Sequence, residues 1–398
     1  MKIRLTLFTL FALWEFNPAK AEDLKDFKIK NPPSIASIPG LGKIPVGGLS
    51  GLILERIDPK TGLYHFLSFT DRGLNSEPEN YRNDGTMDRI LILPSFSPLL
   101  VEIVFDPKSG LAKFGSLTPM KNPNGSATTG RSNVNPRGTE TIVDEGIVDS
   151  KKAPLAMDPW GIDTESMATD SEGFLWIGEE YGPSLLKMAR DGRILSRFLP
   201  LSSPKERAGV RALPSIFAER EPNRGFEALT IKGDSLFAFL QSPIKKVDGP
   251  LRVRVLEFDI KTEKPKGIYF YEMSAAGAKL GDATLDTNGN IVVLEQGVDK
   301  KTKARHQALF ELDFSKATNL MIPVPEGAKI EVASSIKIAS FGSLATGEFE
   351  KLEGLAALPD GSFAILNDND FNVDFHVAKM HKKPLPKTVD NHLFILKK

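Results

Sequence analysis

Glu165-Ser166-Met167-Ala168-Thr169-Asp170-Ser171-Glu172-Gly173-Phe174-Leu175-Trp176-Ile177-Gly178-Glu179-Glu180 is the stretch that decides the fold. It opens on an acid and runs through small and apolar residues. It turns at 170–173 and returns as an unbroken apolar run that ends in acids. Asp and Gly in the turn are hairpin chemistry. The return run does not alternate apolar with polar, so both of its faces are covered. In an antiparallel hairpin, that sandwiches each sheet between two others.

The pattern recurs. Further first strands are Glu227-Ala228-Leu229-Thr230, Asp282-Ala283-Thr284-Leu285 and Glu353-Gly354-Leu355-Ala356, with a weaker copy at Ser50-Gly51-Leu52-Ile53. Turns follow at Lys232-Gly233-Asp234, Asp286-Thr287-Asn288-Gly289 and Pro359-Asp360-Gly361, and apolar return strands come after each. The last four starts lie 62, 55 and 71 residues apart, after a first gap of 115. A repeat of about 63 residues fits the mature chain about six times and predicts an all-β fold, a six-bladed β-propeller. The long first gap then holds a degenerate copy near 91–114. A parallel β-helix is the rival architecture, but its repeats are shorter and more regular.

Composition agrees. The chain has 33 Gly and 28 Pro, too many breaks for long helices. Lys plus Arg and Asp plus Glu balance at 51 each, which carries no nucleic-acid footprint. With no cysteine, thiolate metal sites, catalytic thiols and disulfides are excluded. Lys2 and Arg4, the largely apolar run 5–14, Pro18 and Ala19-Lys20-Ala21 read as a signal peptide over 1–21, cleaved near Ala21. The run falls short of the roughly 20 apolar residues that span a bilayer. The expectation is an exported protein, periplasmic or extracellular, with no membrane span, and a monomer. Residues 22–398 form a single propeller domain, and the Asn-, Gly- and Ser-rich stretch around 121–160 is a loop insertion beside the mouth or on the surface.

The repeat also sorts charge. The start of a first strand lies beside the end of its return strand. If these are the inner strands, one mouth of the central channel gathers Asp71, Glu165, Glu179, Glu180, Glu227, Asp282, Glu295, Glu353 and Asp368. Two such charges 4 Å apart repel by about 4 kcal/mol at an effective dielectric of 20. The ring therefore needs counter-charge. Arginine networks through Arg72, Arg131, Arg137 and Arg224 are one source. A hard, oxygen-ligated cation is the other, and Ca²⁺ suits an exported protein. On that reading Asp71, Glu165, Glu179, Asp282, Glu295, Glu353 and Asp368 are metal ligands. Glu180 and Glu227 carry protons, and Arg224 and Arg72 stabilise developing negative charge on an anionic small-molecule phosphoester or ester. No G-x-S-x-G elbow exists, since Gly48-Leu49-Ser50-Gly51-Leu52 fails at its last position. The five histidines show no metal-binding spacing.

Asp163-Thr164-Glu165-Ser166-Met167-Ala168, the segment Gly178-Glu179-Glu180-Tyr181-Gly182-Pro183, Asn223-Arg224-Gly225-Phe226-Glu227, Leu352-Glu353-Gly354-Leu355-Ala356 and Ser68-Phe69-Thr70-Asp71-Arg72-Gly73 together resemble the bacterial "esterase-like activity of phytase" family, the phytase-like domain proteins. The resemblance covers about 47–394 and implies an exported β-propeller with phosphoester or ester hydrolase activity. Two other functions fit the same fold: a Ca²⁺-dependent lactonase-like hydrolase, and a non-catalytic ligand- or protein-binding propeller.

Overall fold

The computed structural model describes residues 24–133, 145–298, 305–341, 351–374, 385–386 and 389–397. The expected signal peptide, Arg137, His376 and His381 lie outside them. The described residues are almost entirely β. Helix is limited to one turn at Lys245–Asp248 and 3₁₀ turns at Ser215–Glu219 and Asp370–Asn372.

Among the described residues, the strands form five antiparallel four-stranded units, counted from the inside outward. The first is Leu49–Ile57, Tyr64–Thr70, Leu99–Asp106 and Leu111–Pro119. The second is Thr164–Thr169, Leu175–Glu179, Ser184–Met188 and Ile194–Pro200, with Val210–Leu213 added at its edge. The third is Phe226–Lys232, Ser235–Leu240, Arg252–Asp259 and Lys264–Glu272. The fourth is Lys279–Leu285, Ile291–Val298, Arg305–Asp313 and Ser334–Ser340. The fifth is Lys351–Ala357, Phe363–Asp368, His392–Leu396 and, from the other end of the chain, Leu24–Lys30.

The first strand of each unit packs on the first strand of the next, and that of the fifth packs on that of the first. The ring therefore has five members, where the spacing predicts six. Among the described residues the long first gap holds no sixth unit: its predicted copy, Leu99–Asp106, pairs with Tyr64–Thr70 and is the third strand of the first unit. The remainder of the gap is excursion, including the short parallel pair Asp88–Ile90 and Gly146–Val148.

Two-sided burial of the return strands is met. In the second unit Trp176 stacks on Phe198 at 5.9 Å and meets Phe258 of the third unit. Its neighbours Leu175 and Ile177 turn the other way, into a cluster with Phe69 and Leu100 of the first unit. Each such fully buried side chain contributes about 1.5–3 kcal/mol. Stability without disulfides thus comes from apolar layers between neighbouring units.

The five inner strands line an axial channel. At the end nearest the hairpin turns they border an open cavity of about 290 Å³, lined by apolar residues such as Ile53, Met167 and Leu229 and by Thr169, Thr230 and Thr284. The acids stand at the other end.

Candidate functional site

A shared backbone irregularity builds the site. In four inner strands the pairing skips one residue: between Thr164 and Ser166, Phe226 and Ala228, Leu280 and Asp282, and Leu352 and Gly354. The skipped residues are Glu165, Glu227, Gly281 and Glu353. A bulge residue is released from the ladder and re-aimed. In the first unit the skip falls at Gly51 and Leu52; Ser50, just before it, pairs with Phe69, and its Oγ donates to Glu353 Oε2 at 3.3 Å.

This register corrects one expectation. Asp282 is not the fourth member of the acid set; Gly281 is. Asp282 lies one residue further on, back in the ladder. Its carboxylate accepts the backbone N–H groups of Leu52 (3.1 Å), Leu355 (2.8 Å) and Ala283 (2.8 Å). It pins the first, fourth and fifth inner strands together, and it is not available as a metal ligand.

Two more expected ligands turn away. Glu179, fully buried, accepts from Asn133 Nδ2 (3.1 Å), the Tyr181 N–H (3.1 Å) and Ser184 Oγ (2.8 Å), and faces Arg207 at 3.6 Å. Glu295 accepts from Tyr271 Oη, from Ser274 Oγ (2.6 Å) and from His306 Nε2 (2.9 Å). Burial pushes the Glu295 carboxyl up, but these donors bring it below its ordinary value. Successive residues of a strand point to opposite sides. Glu180 and Gln296, the residues following these two acids, are the ones that join the mouth.

At the centre, Asp163, Glu165 and Glu180 are all buried, and each offers an oxygen within 4.8 Å of the others. Arg72 lies among them. Its Nη2 binds Asp163 Oδ2, Glu180 Oε2 (2.6 Å) and Asn223 Oδ1, its N–H donates to Asp163 Oδ1 at 2.9 Å, and its guanidinium lies 4.9 Å from the Tyr181 ring centre. Arg72 is therefore an internal counter-ion: its Nη2 is taken by two carboxylates and Asn223, and its Nη1 lies 3.8 Å from Glu145. The sequence reading has it meet substrate, and the structure places it inside the acid cluster.

The other carboxylates stand around this pair. Burial and the neighbouring Glu227 push Glu165 well up; burial and Glu180 do the same for Glu227. Glu353 is raised to about 8 by burial and by Asp368. Burial and Asp368 raise Asp71, and burial also raises Asp368. Glu180 goes the other way: burial opposes its ionisation, yet Arg72 and a proton donated by Glu227 lower it to about 2. The two neighbouring carboxyls are thus pushed in opposite directions, Glu180 toward the ionised form and Glu227 toward the protonated one.

Among the described residues Glu165 makes no hydrogen bond or ion pair. Glu227 Oε1 and Gln241 Oε1 are buried acceptors that receive no hydrogen bond. Oxygen-only donors, several of them not engaged by the protein, suit a hard divalent cation. Arg224 is partly exposed at the rim, 4.0 Å from Glu180. Gly225 explains how its loop comes so near: a Cβ there would lie 2.4 Å from Glu180 Cα and 2.5 Å from Glu179 O.

Of the expected residues, the structure brings together Asp71, Glu165, Glu180, Glu227, Glu353, Asp368, Arg72 and Arg224. Sequence reading missed Asp163, Lys279 and Lys351. Asp163 had a signal, two positions ahead of Glu165 in its motif. The loop up to Asn133 is tied down: Asn133 bonds Gly161 O and Glu179, and Tyr181 Oη donates to Gly130 O at 2.6 Å.

A family model described as Phytase-like, esterase-like activity of phytase, matches residues 44–371. A curated relative, an "uncharacterized secreted protein" of Arthroderma benhamiae, is 30% identical over 139 residues, covering 29% of this chain and 27% of that one. The chain thus spans about a quarter of that relative's length. Solved structures similar to it include a luciferin-regenerating enzyme, with 12% identity over 94% of this chain and 95% of that one at a TM-score of 0.37. A streptogramin B lyase matches with 10% identity over 88% and 82% at a TM-score of 0.29. A glycosyl hydrolase from Bacteroides ovatus matches with 9% identity over 96% and 91% at a TM-score of 0.41.

Proposed function

Because the chain belongs to the phytase-like family, esterase-like activity of phytase, we propose that it is a hydrolase of phosphoester or ester bonds that works at the carboxylate mouth of a five-bladed propeller. The observation that carries this reading is the buried Asp163–Glu165–Glu180 triad beside Glu227, with Glu227 pushed toward the protonated form and Glu180 toward the ionised one. Asp163, Glu165 and Glu180 would hold a divalent cation, Ca²⁺ by the hardness of the donors, with Asp71, Glu353 and Asp368 shaping the field around it. Such a cation, when bound, polarises a phosphoryl or carbonyl oxygen. Glu227 supplies a proton to the leaving group through its carboxyl and regains one from the attacking water, while Glu180 stays ionised. Arg72 keeps Glu180 ionised and in place.

Export of the chain is part of the proposal. It is supported by the N-terminal signal pattern and by the secreted description of the Arthroderma relative. Among the described residues no helix is long and apolar enough to cross a membrane.

The test is a panel of p-nitrophenyl phosphates, carboxyl esters and lactones, assayed with Ca²⁺ and with EDTA. Turnover of a phosphoester or ester that EDTA abolishes, and that Glu165→Gln and Glu227→Gln each reduce at least 100-fold without lowering the melting temperature, is the expected result. Lactone turnover alone moves the protein to a lactonase-like reading. Full activity in both variants puts the chemistry elsewhere, and inactivity across the panel favours a binding propeller.

A further inference from the structure

Two register positions in neighbouring units carry a lysine. In the fifth unit Lys351 pairs across the strands with Asp368. Its Nζ lies 3.0 Å from Asp368 Oδ2 and also binds Asp370 Oδ1, at 2.5 Å, so its charge is neutralised within the protein. In the fourth unit the same position is Lys279, and the residue across from it is Gln296. Gln296 is uncharged, and its Oε1 is already taken by the Leu352 N–H at 2.7 Å. Among the described residues Lys279 makes no hydrogen bond or ion pair.

The residue two further along is the bulge Gly281, where the second and third units have Glu165 and Glu227. The fourth unit is therefore the sector of the mouth that contributes a cation and no carboxylate. Beside it, just ahead of the third unit's inner strand, Arg224 spends a guanidinium N–H on Asn223 O and comes no nearer than 4.0 Å to Glu180. Arg72 and Lys351 are held by close ion pairs; Lys279 has none, and Arg224 has one long contact, to Glu180 at 4.0 Å.

We propose that Lys279 and Arg224 form an oxyanion-binding edge of the mouth, which selects substrates carrying a phosphate or carboxylate group. The inference rests on the mouth being the substrate site. Burial and the neighbouring Arg224 both lower the affinity of Lys279 for its proton, while Glu227, Glu353 and Glu180 raise it. Lys279 thus shares one field with the rim arginine and the acids, and an anion entering between the two cations relieves their mutual repulsion. Lysine acts there as a point charge and arginine as a planar fork, a pairing suited to a tetrahedral or planar oxyanion.

The test reads binding, not turnover. Inorganic phosphate and, separately, acetate are titrated by calorimetry into the full-length metal-free protein, wild type and Lys279→Met. The expected result is saturable binding of at least one anion, weakened about tenfold by Lys279→Met, which is about 1.4 kcal/mol, and restored by Lys279→Arg. The anion that binds identifies the substrate group. Failure of both anions to bind wild type, or equal binding by Lys279→Met, overturns the inference. Lys279→Gln is read in place of Lys279→Met should the latter not fold. A protein that turns over nothing yet binds phosphate through Lys279 loses the hydrolase reading and keeps this one.

Discussion

Glu353 offers a direct measure of the strain held in the acid mouth. Its carboxyl is raised to about 8 because burial and the nearby Asp368 disfavour its charge. A carboxyl raised on folding holds its proton in the native state after the unfolded chain has released it. Stability therefore falls as pH rises from the ordinary glutamate range towards 8, and stays low above it. At roughly 1.4 kcal/mol per tenfold change in proton affinity, this group's ceiling is about 5 kcal/mol. Water entry and relaxation of the mouth reduce that to about 2–3 kcal/mol at an effective dielectric near 20. Glu353→Gln keeps an oxygen for the Ser50 hydroxyl and cannot ionise. Urea unfolding in EDTA at pH 4 and at pH 9 checks the difference. The variant should equal wild type at pH 4 and exceed it by about 2 kcal/mol or more at pH 9. A variant no more stable than wild type at pH 9 refutes the electrostatic account of the mouth.

Asp282→Ala should cost about 3 kcal/mol or more in urea unfolding, since three buried N–H groups lose their acceptor at 2.8–3.1 Å; a cost below about 1 kcal/mol would mean that water replaces it. Gly225→Ala should lower both the melting temperature and any turnover, because its Cβ would sit 2.4 Å from Glu180 Cα and push that backbone aside; unchanged melting and kinetics would show that the loop has slack. Metal-free protein should gain melting temperature on addition of Ca²⁺, and Glu165→Gln should lose most of that gain in scanning calorimetry; an equal gain in both proteins would move the cation elsewhere.

The hairpins and their two-sided burial were legible because turn chemistry and unbroken apolar runs are local properties. Trp176, flanked by Leu175 and Ile177, states in sequence that both faces are covered, and the three residues do bury into opposite clusters. The number of units was not legible. Average spacing treats loops as if they were strands, and the two excursions of the first gap, 71–98 and 120–163, add 28 and 44 residues that the average counts as a further unit. The acids were legible as a set, but their aim was not. A bulge leaves no mark in the sequence, so Asp282 looked equivalent to Glu165 while Gly281 held that place. Glu179 and Glu180 are chemically identical neighbours, and only the pleat decides which one meets Arg72 and which is consumed by Ser184. Lys279 carried no signal at all, because its meaning depends on the neutral Gln296 across the strand.

The fifth unit takes its outer strand, Leu24–Lys30, from the opposite end of the chain, paired residue by residue with His392–Leu396. That stitch has a temporal consequence. A chain emerging from its N-terminus presents this strand first and its partner last, with more than 360 residues between them. Until the partner arrives the early strand is an open edge, able to pair with a second chain as readily as with its own. The last contact to form is also among the longest in sequence, which slows folding and lengthens that exposure. The vulnerable interval is the wait before these two strands meet.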